Sequence, residues 1–194
     1  MITNDIAQAV ASLASGKLCA IPTETVYGLA ANALDETAVA RVFAAKERPA
    51  DHPLIVHVAS ASDVSEWITE LPQWAIDLTD AVWPGPLTIV GPRTALASNS
   101  VTGNQDTVAV RVPSHPIAQE LLQQLKANGV KGLVAPSANR FGHVSPTSAA
   151  HVSADLGEYL DAHGDLILDG GDCQVGVEST IVLATGSQPV ILRP

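Results

Sequence analysis

The run DTVAVRVP, residues 106–113, constrains the fold most. Val108, Val110 and Val112 alternate with Thr107, Ala109 and Arg111, and Pro113 ends the run. Period-two spacing puts the valines on one face of a strand and the Arg111 set on the other. Arg111 is then either solvated or placed to hold a carboxylate bidentately. Other strand-like runs are KLCAIP (17–22), LIVHVA (54–59), LTIV (87–90), LVAPSAN (133–139), LILDGG (166–171), STIVLAT (179–185) and PVILR (189–193). Helical spacing separates the early ones. Residues 4–15 align Ile6, Val10 and Leu13 before Gly16, and DETAVARVFAAK starts at an Asp35 N-cap. Two short helices are expected around 62–68 and 72–83, and another near 146–157. PIAQELLQQLKAN is the clearest amphipathic helix. Helices alternate with strands early, and strands with short connections dominate late. The expected class is α/β, a twisted sheet mixing parallel and antiparallel strands with flanking helices.

At 194 residues without repeats or low-complexity linkers, the chain reads as one domain, 1–194, whose core needs no disulfide or metal. Apolar residues make up 46% and aromatics 4%, so the core is aliphatic. Cys19 and Cys173 lack metal-ligand spacing, and the N-terminus has no basic leader, which points to a reduced, cytoplasmic protein. No apolar run approaches the roughly 18 residues of a membrane span. The formal net charge of −10 argues against a general nucleic-acid or membrane surface. There is no Lys or Arg between Arg140 and Arg193, while Lys46, Arg48, Arg111, Arg140 and Arg193 fall beside turn signals. An acidic chain that keeps cations at strand ends suits a small anionic ligand.

Each polar motif also has a plain structural reading. In PTETVYG (22–28), Thr23, Thr25 and Tyr27 flank Glu24, and Gly28 reads as a turn with φ above zero. A strand end is as good an account as a site there, and no partner for Glu24 as a base is visible. In AKERPADHPLIVHV, Lys46 and Arg48 either compensate a helix dipole or clamp a phosphate, and His57 would ordinarily be a satisfied strand histidine. In APSANRFGHVSPT, Ser145 and Thr147 lie near a helix start, where caps and phosphates both bind. VGVESTIVLA opens a strand with Glu178, Ser179 and Thr180. A Walker loop, a Rossmann GxGxxG, HExxH and GxSxG are all missing.

PTETVYGL, KxRPxxHPL, WPGPLT, DTVAVRVPxHP, APSAN…SPT and ESTI, in this order and spacing, resemble the YrdC/TsaC family of threonylcarbamoyl-AMP synthases over nearly the whole chain. The resemblance implies a YrdC-like sheet with a concave, locally positive ligand cavity. It also implies an activity that turns L-threonine, bicarbonate and ATP into threonylcarbamoyl-AMP and pyrophosphate, for N6-threonylcarbamoyladenosine at tRNA position 37. By this resemblance Thr25, His57, Arg111, Ala135 (through its backbone) and Ser179 hold threonine. Arg48, His52, Thr107, Ser137, Ser145 and Arg193 hold ATP, although many relatives carry asparagine at the place of His52. Thr23, Tyr27 and Asn139 are expected to line the same cavity. Lys46 and Arg48 are the candidate catalytic cations on the triphosphate, with Mg²⁺ arriving with ATP and no metal site built from protein expected. Glu24 is expected to hold its loop.

The product would pass to tRNA-modifying transferase proteins, without stable direct nucleic-acid binding. Longer relatives add a second domain after the LRP segment, so the chain resembles the single-domain form or a trimmed one. Two alternatives are an RNA-binding or ribosome-associated module, which the charge disfavours, and a carbamoyl-adenylate-handling transferase. Proteins of the latter kind carry acylphosphatase-like and zinc-finger regions that this sequence lacks.

Overall fold

A computed structural model describes all 194 residues. The ten strands are β1 (Ile2–Thr3), β2 (Cys19–Ile21), β3 (Gly28–Asn32), β4 (Ile55–His57), β5 (Leu87–Pro92), β6 (Thr107–Arg111), β7 (Leu133–Val134), β8 (Leu166–Leu168), β9 (Thr180–Leu183) and β10 (Val190–Arg193). The helices are α1 (Ile6–Ala14), α2 (Glu36–Lys46), α3 (Gln73–Val82), α4 (Asn99–Thr102), α5 (Pro116–Ala127) and α6 (Ala149–His163). All ten strands join one sheet, in the order β1-β8-β2-β3-β7-β4-β6-β5-β9-β10. The pairs β1/β8, β2/β8, β4/β6 and β5/β9 are parallel and the others antiparallel, so the sheet is mixed as expected.

Helix ends follow the local chemistry. Asp35 caps α2 by accepting from the N–H groups of Thr37 and Ala38, both at 3.0 Å. Pro116 opens α5 at a position that needs no N–H donor. Ser148 caps α6, which ends at Gly164 with φ 66°. The segment 62–68 forms a 3₁₀ turn (Ala61–Glu66) instead of an α-helix. LVAPSAN contributes only two strand residues before becoming loop, and Gly28, read from sequence as a turn, instead opens strand β3 (GLAAN). Gly28 is absent from the residues with positive φ; its role is close approach, because a Cβ there would lie 3.0 Å from the Ala135 Cβ.

The two faces of the sheet are covered unequally. One face carries the main core, where Leu29, Ala31, Val56, Val110, Ile89 and Val182 meet side chains from α2, α3, α4 and α6. The opposite face is covered by α1 and α5 over its β8-β2-β3-β7 half, through Val10, Leu13, Leu121 and Leu125 against Ile21, Ala30 and Leu168. Over β4, β6, β5 and β9 that second face carries no helix, and the candidate site lies there. No helix is long and apolar enough to cross a membrane.

Candidate active site

Register sets the floor of the site. His57 pairs with Arg111 and Ile55 with Ala109 across β4/β6; Arg111 pairs with Thr88 and Ala109 with Val90 across β6/β5. Paired residues share a face, so the non-valine side of DTVAVRVP and its neighbours form one surface. It floors a cavity of about 380 Å³, within the range of small-molecule sites. The wall includes Thr25, Arg48, His57, Thr107, Arg111, Ala135, Ser137, Ser179 and Arg193. Nine of the residues singled out from sequence therefore meet around one space. Sequence reading assigned no site role to the apolar lining residues Ile55, Val90, Ala109, Ile181 and Leu192, nor to Glu178, although Ala109 and Glu178 lie in motifs noted above. The signal for Ile55, Val90, Ala109 and Ile181 was period two on strands already recognised.

Arg111 is the most constrained cation. Its Nε donates to the Gly85 carbonyl (3.3 Å), one terminal nitrogen to Thr25 Oγ1 (2.9 Å) and the other to Glu24 Oε1 (2.6 Å). Both members of the Arg111–Glu24 pair are buried, with 5% and 7% of their side chains exposed. The second Glu24 oxygen accepts from the Ser114 N–H at 3.1 Å. Guanidinium has five N–H donors, so one remains on each terminal nitrogen of Arg111, and guanidinium N–H groups are well suited to a carboxylate. Thr23 donates to the Val26 carbonyl (2.7 Å), so Thr25 donates to Thr23 (2.8 Å) and accepts from Arg111. The TET segment is thus a turn that locks a guanidinium.

His57 is fully buried beside Arg111, and its Nδ1 lies 3.3 Å from the Ile55 carbonyl. Burial first, and the Arg111 charge second, push its pKa down to about 3, so the ring is neutral near pH 7. Ser179 Oγ bonds Thr88 Oγ1 at 2.8 Å, and Arg193 donates through Nε to the Ser179 carbonyl at 2.9 Å. Arg193 also pairs with Glu178, whose other oxygen accepts from Ser145 Oγ at 2.9 Å. Arg48 donates to the Pro53 carbonyl at 3.0 Å, has no carboxylate partner, and keeps a buried Nε without any hydrogen bond. It is the unpaired cation of the wall.

Six singled-out residues lie off the wall. The Lys46 ammonium is buried and donates to the backbone carbonyls of Ser137 and Asn139, the latter at 2.6 Å. Burial, reinforced by Arg48, lowers its pKa to about 8. Lys46 therefore props the 137–139 loop from below, where a triphosphate contact was expected. Asn139 ties the carbonyls of Arg140 and His143, and Thr23 stands behind Thr25. The Tyr27 hydroxyl turns away to the Gly171 carbonyl (2.8 Å) and the Gly170 N–H (3.1 Å). His52 packs edge-on against Phe141 with ring centroids 5.5 Å apart. Ser145 reaches the wall only through Glu178. No three His, Cys, Asp or Glu side chains gather as a metal-ligand group.

A ten-stranded mixed sheet with one half-face bare, floored by alternating strands and lined by three arginines, defines an α/β domain with a cavity suited to a small anionic ligand. The sequence model of the Sua5/YciO/YrdC family, described as telomere recombination, matches residues 11–194. The chain is 49% identical to the threonylcarbamoyl-AMP synthase of Pyrococcus abyssi, over 92% of this chain and 50% of that protein. It is 35% identical to a putative threonylcarbamoyl-AMP synthase of Mycobacterium tuberculosis, over 97% of this chain and 83% of that protein. The crystal structure of P. abyssi Sua5 complexed with L-threonine superposes with a TM-score of 0.91 at 45% identity, covering 100% of this chain and 57% of the other. The chain belongs to the Sua5/YciO/YrdC family. It spans about half the length of the P. abyssi and Bacillus subtilis relatives.

Proposed function

We propose that this domain makes threonylcarbamoyl-AMP and pyrophosphate from L-threonine, bicarbonate and ATP, and that the product serves tRNA modification by a separate transferase in the cytoplasm. One observation carries the reading. The five residues matched to threonine contacts (Thr25, His57, Arg111, Ala135 and Ser179) are all buried and all line the cavity. Of those matched to the nucleotide, Arg48, Thr107, Ser137 and Arg193 line the same cavity, and these four together with His52 and Ser145 are all partly exposed. The two sets thus differ in burial, which supports a small amino acid seated beneath a larger nucleotide.

The chemistry asks for positioning more than for a covalent nucleophile. The two free N–H groups of Arg111 bind the threonine carboxylate. Neutral His57 orients the amine or hydroxyl; with a pKa near 3 it is too weak a base to take a proton at neutral pH. The amine attacks bicarbonate and water leaves to give a carbamate, whose oxygen attacks the α-phosphorus while pyrophosphate departs. ATP enters as its Mg²⁺ complex, and the only carboxylate on the wall, Glu178, is already bonded to Ser145 and Arg193. Unpaired Arg48 takes phosphate charge.

The test is pyrophosphate release from Mg·ATP with and without L-threonine and bicarbonate. Release that requires both supports the reading. Release driven by carbamoyl phosphate alone, or none, rejects it.

A further inference from the structure

Glu178 has no part in the scheme above, yet it joins two separate pieces of the cavity rim. One carboxylate oxygen accepts from Ser145, in the loop after β7, and the other pairs with Arg193, on β10. Both partners are residues matched to the nucleotide. Glu178 is also the only acidic side chain on a wall that carries Arg48, Arg111 and Arg193. Its charge reaches Lys46 and Arg48 as well, where it opposes the lowering of their pKa values by burial. A carboxylate bonded to a guanidinium and a hydroxyl occupies the positions that phosphate oxygens would take on the same donors.

We propose that Glu178 is an internal counter-anion, holding Arg193 and Ser145 in place while the cavity is empty and yielding them to substrate phosphate. The inference rests on the nucleotide reading of those two residues. The exchange explains how guanidiniums can line an open site without a bound anion and still keep their geometry. It is feasible because the pair is about one-third exposed on each side, so the carboxylate released from Arg193 is solvated without burial. Glu178 acts through its two partners and is a positioning residue, not a catalytic one.

The experiment measures binding of inorganic pyrophosphate and of ATP by calorimetry to wild type, Glu178→Gln and Glu178→Asp, with thermal melts as a folding control. Glutamine keeps the shape and removes the charge, so pyrophosphate is expected to bind at least threefold more tightly. Aspartate is one methylene too short to span both partners and is expected to fall between the two; it carries the test if the glutamine variant does not fold. In an Arg193→Gln background the gain from Glu178→Gln should vanish. Unchanged or weaker pyrophosphate binding overturns the proposal, as does a gain that persists without Arg193, since repulsion at a distance would then account for it. If pyrophosphate behaves as expected but threonine and bicarbonate never elicit its release from ATP, the proposed activity fails while the role of Glu178 stands.

Discussion

At the residue scale, buried charge makes the sharpest statements. Glu24 first invites a catalytic reading, but both its oxygens are committed, one to Arg111 and one to the Ser114 N–H. Removing it leaves a buried guanidinium uncompensated, so Glu24→Ala is expected to cost about 3–5 kcal/mol in urea unfolding. Glu24→Gln, which keeps the shape, should cost less but raise the KM for threonine through a misplaced Arg111. His57 carries a pH signature. Its folded pKa of about 3 lies below the unfolded value of about 6.5, so the unfolded chain binds the extra proton between them. Stability contributed by neutral His57 is full above that window and falls as pH drops through it, by about 1.4 kcal/mol per unit. Denaturation of His57→Asn between pH 6.5 and 4 should show a shallower loss than wild type by that slope. Residue identity was legible for Arg111 and His57 because both sit in recognisable strands. The burial of Lys46 was not, because a lysine in the last turn of a helix is ordinarily solvated.

At the element scale, α2 is the part that ties core to site. It starts at the Asp35 N-cap and ends with Lys46 bonded to the 137–139 loop, and Arg48 follows Glu47, whose φ is 52°. Lys46→Met should fill the same space but leave the Asn139 carbonyl without a donor and the Ser137 carbonyl with only the Asn139 N–H. Amide exchange across 137–141 is then expected to quicken by roughly tenfold or more, while Val110 and Val182 keep their protection. The KM for ATP should rise because Ser137 lies on that loop. The sequence carried α5 well, since Pro116 and the leucine spacing mark both its start and its buried face. It hid β3, because GLAAN lacks the β-branched residues that mark strands, and although it pairs locally with β2, its other partner β7 lies about a hundred residues further along the chain.

At the scale of the whole molecule, unequal covering of the sheet assigns neighbouring side chains to different tasks. Val110 is fully buried in the main core, and Ala109, one residue earlier, floors the cavity. Val110→Ala should lower unfolding free energy by about 1.5–3 kcal/mol while leaving ligand affinity nearly intact. Ala109→Leu should do the reverse, with an unchanged melting temperature and at least tenfold weaker threonine binding by calorimetry. The alternation in DTVAVRVP announced two faces, but only the register with β4 and β5 reveals which face stays open.

The proposed seating of threonine beneath the nucleotide also has a kinetic consequence. An amino acid that sits beneath a nucleotide cannot enter or leave once the nucleotide is seated. Initial-rate patterns should therefore be those of compulsory order, with threonine first and ATP second. Trapped threonine should exchange with solvent only when the upper site is vacant, so saturating a nonhydrolysable ATP analogue should slow release of labelled threonine. The protein would work as a stack, loaded from the bottom and emptied from the top, with pyrophosphate leaving before the adenylate beneath it.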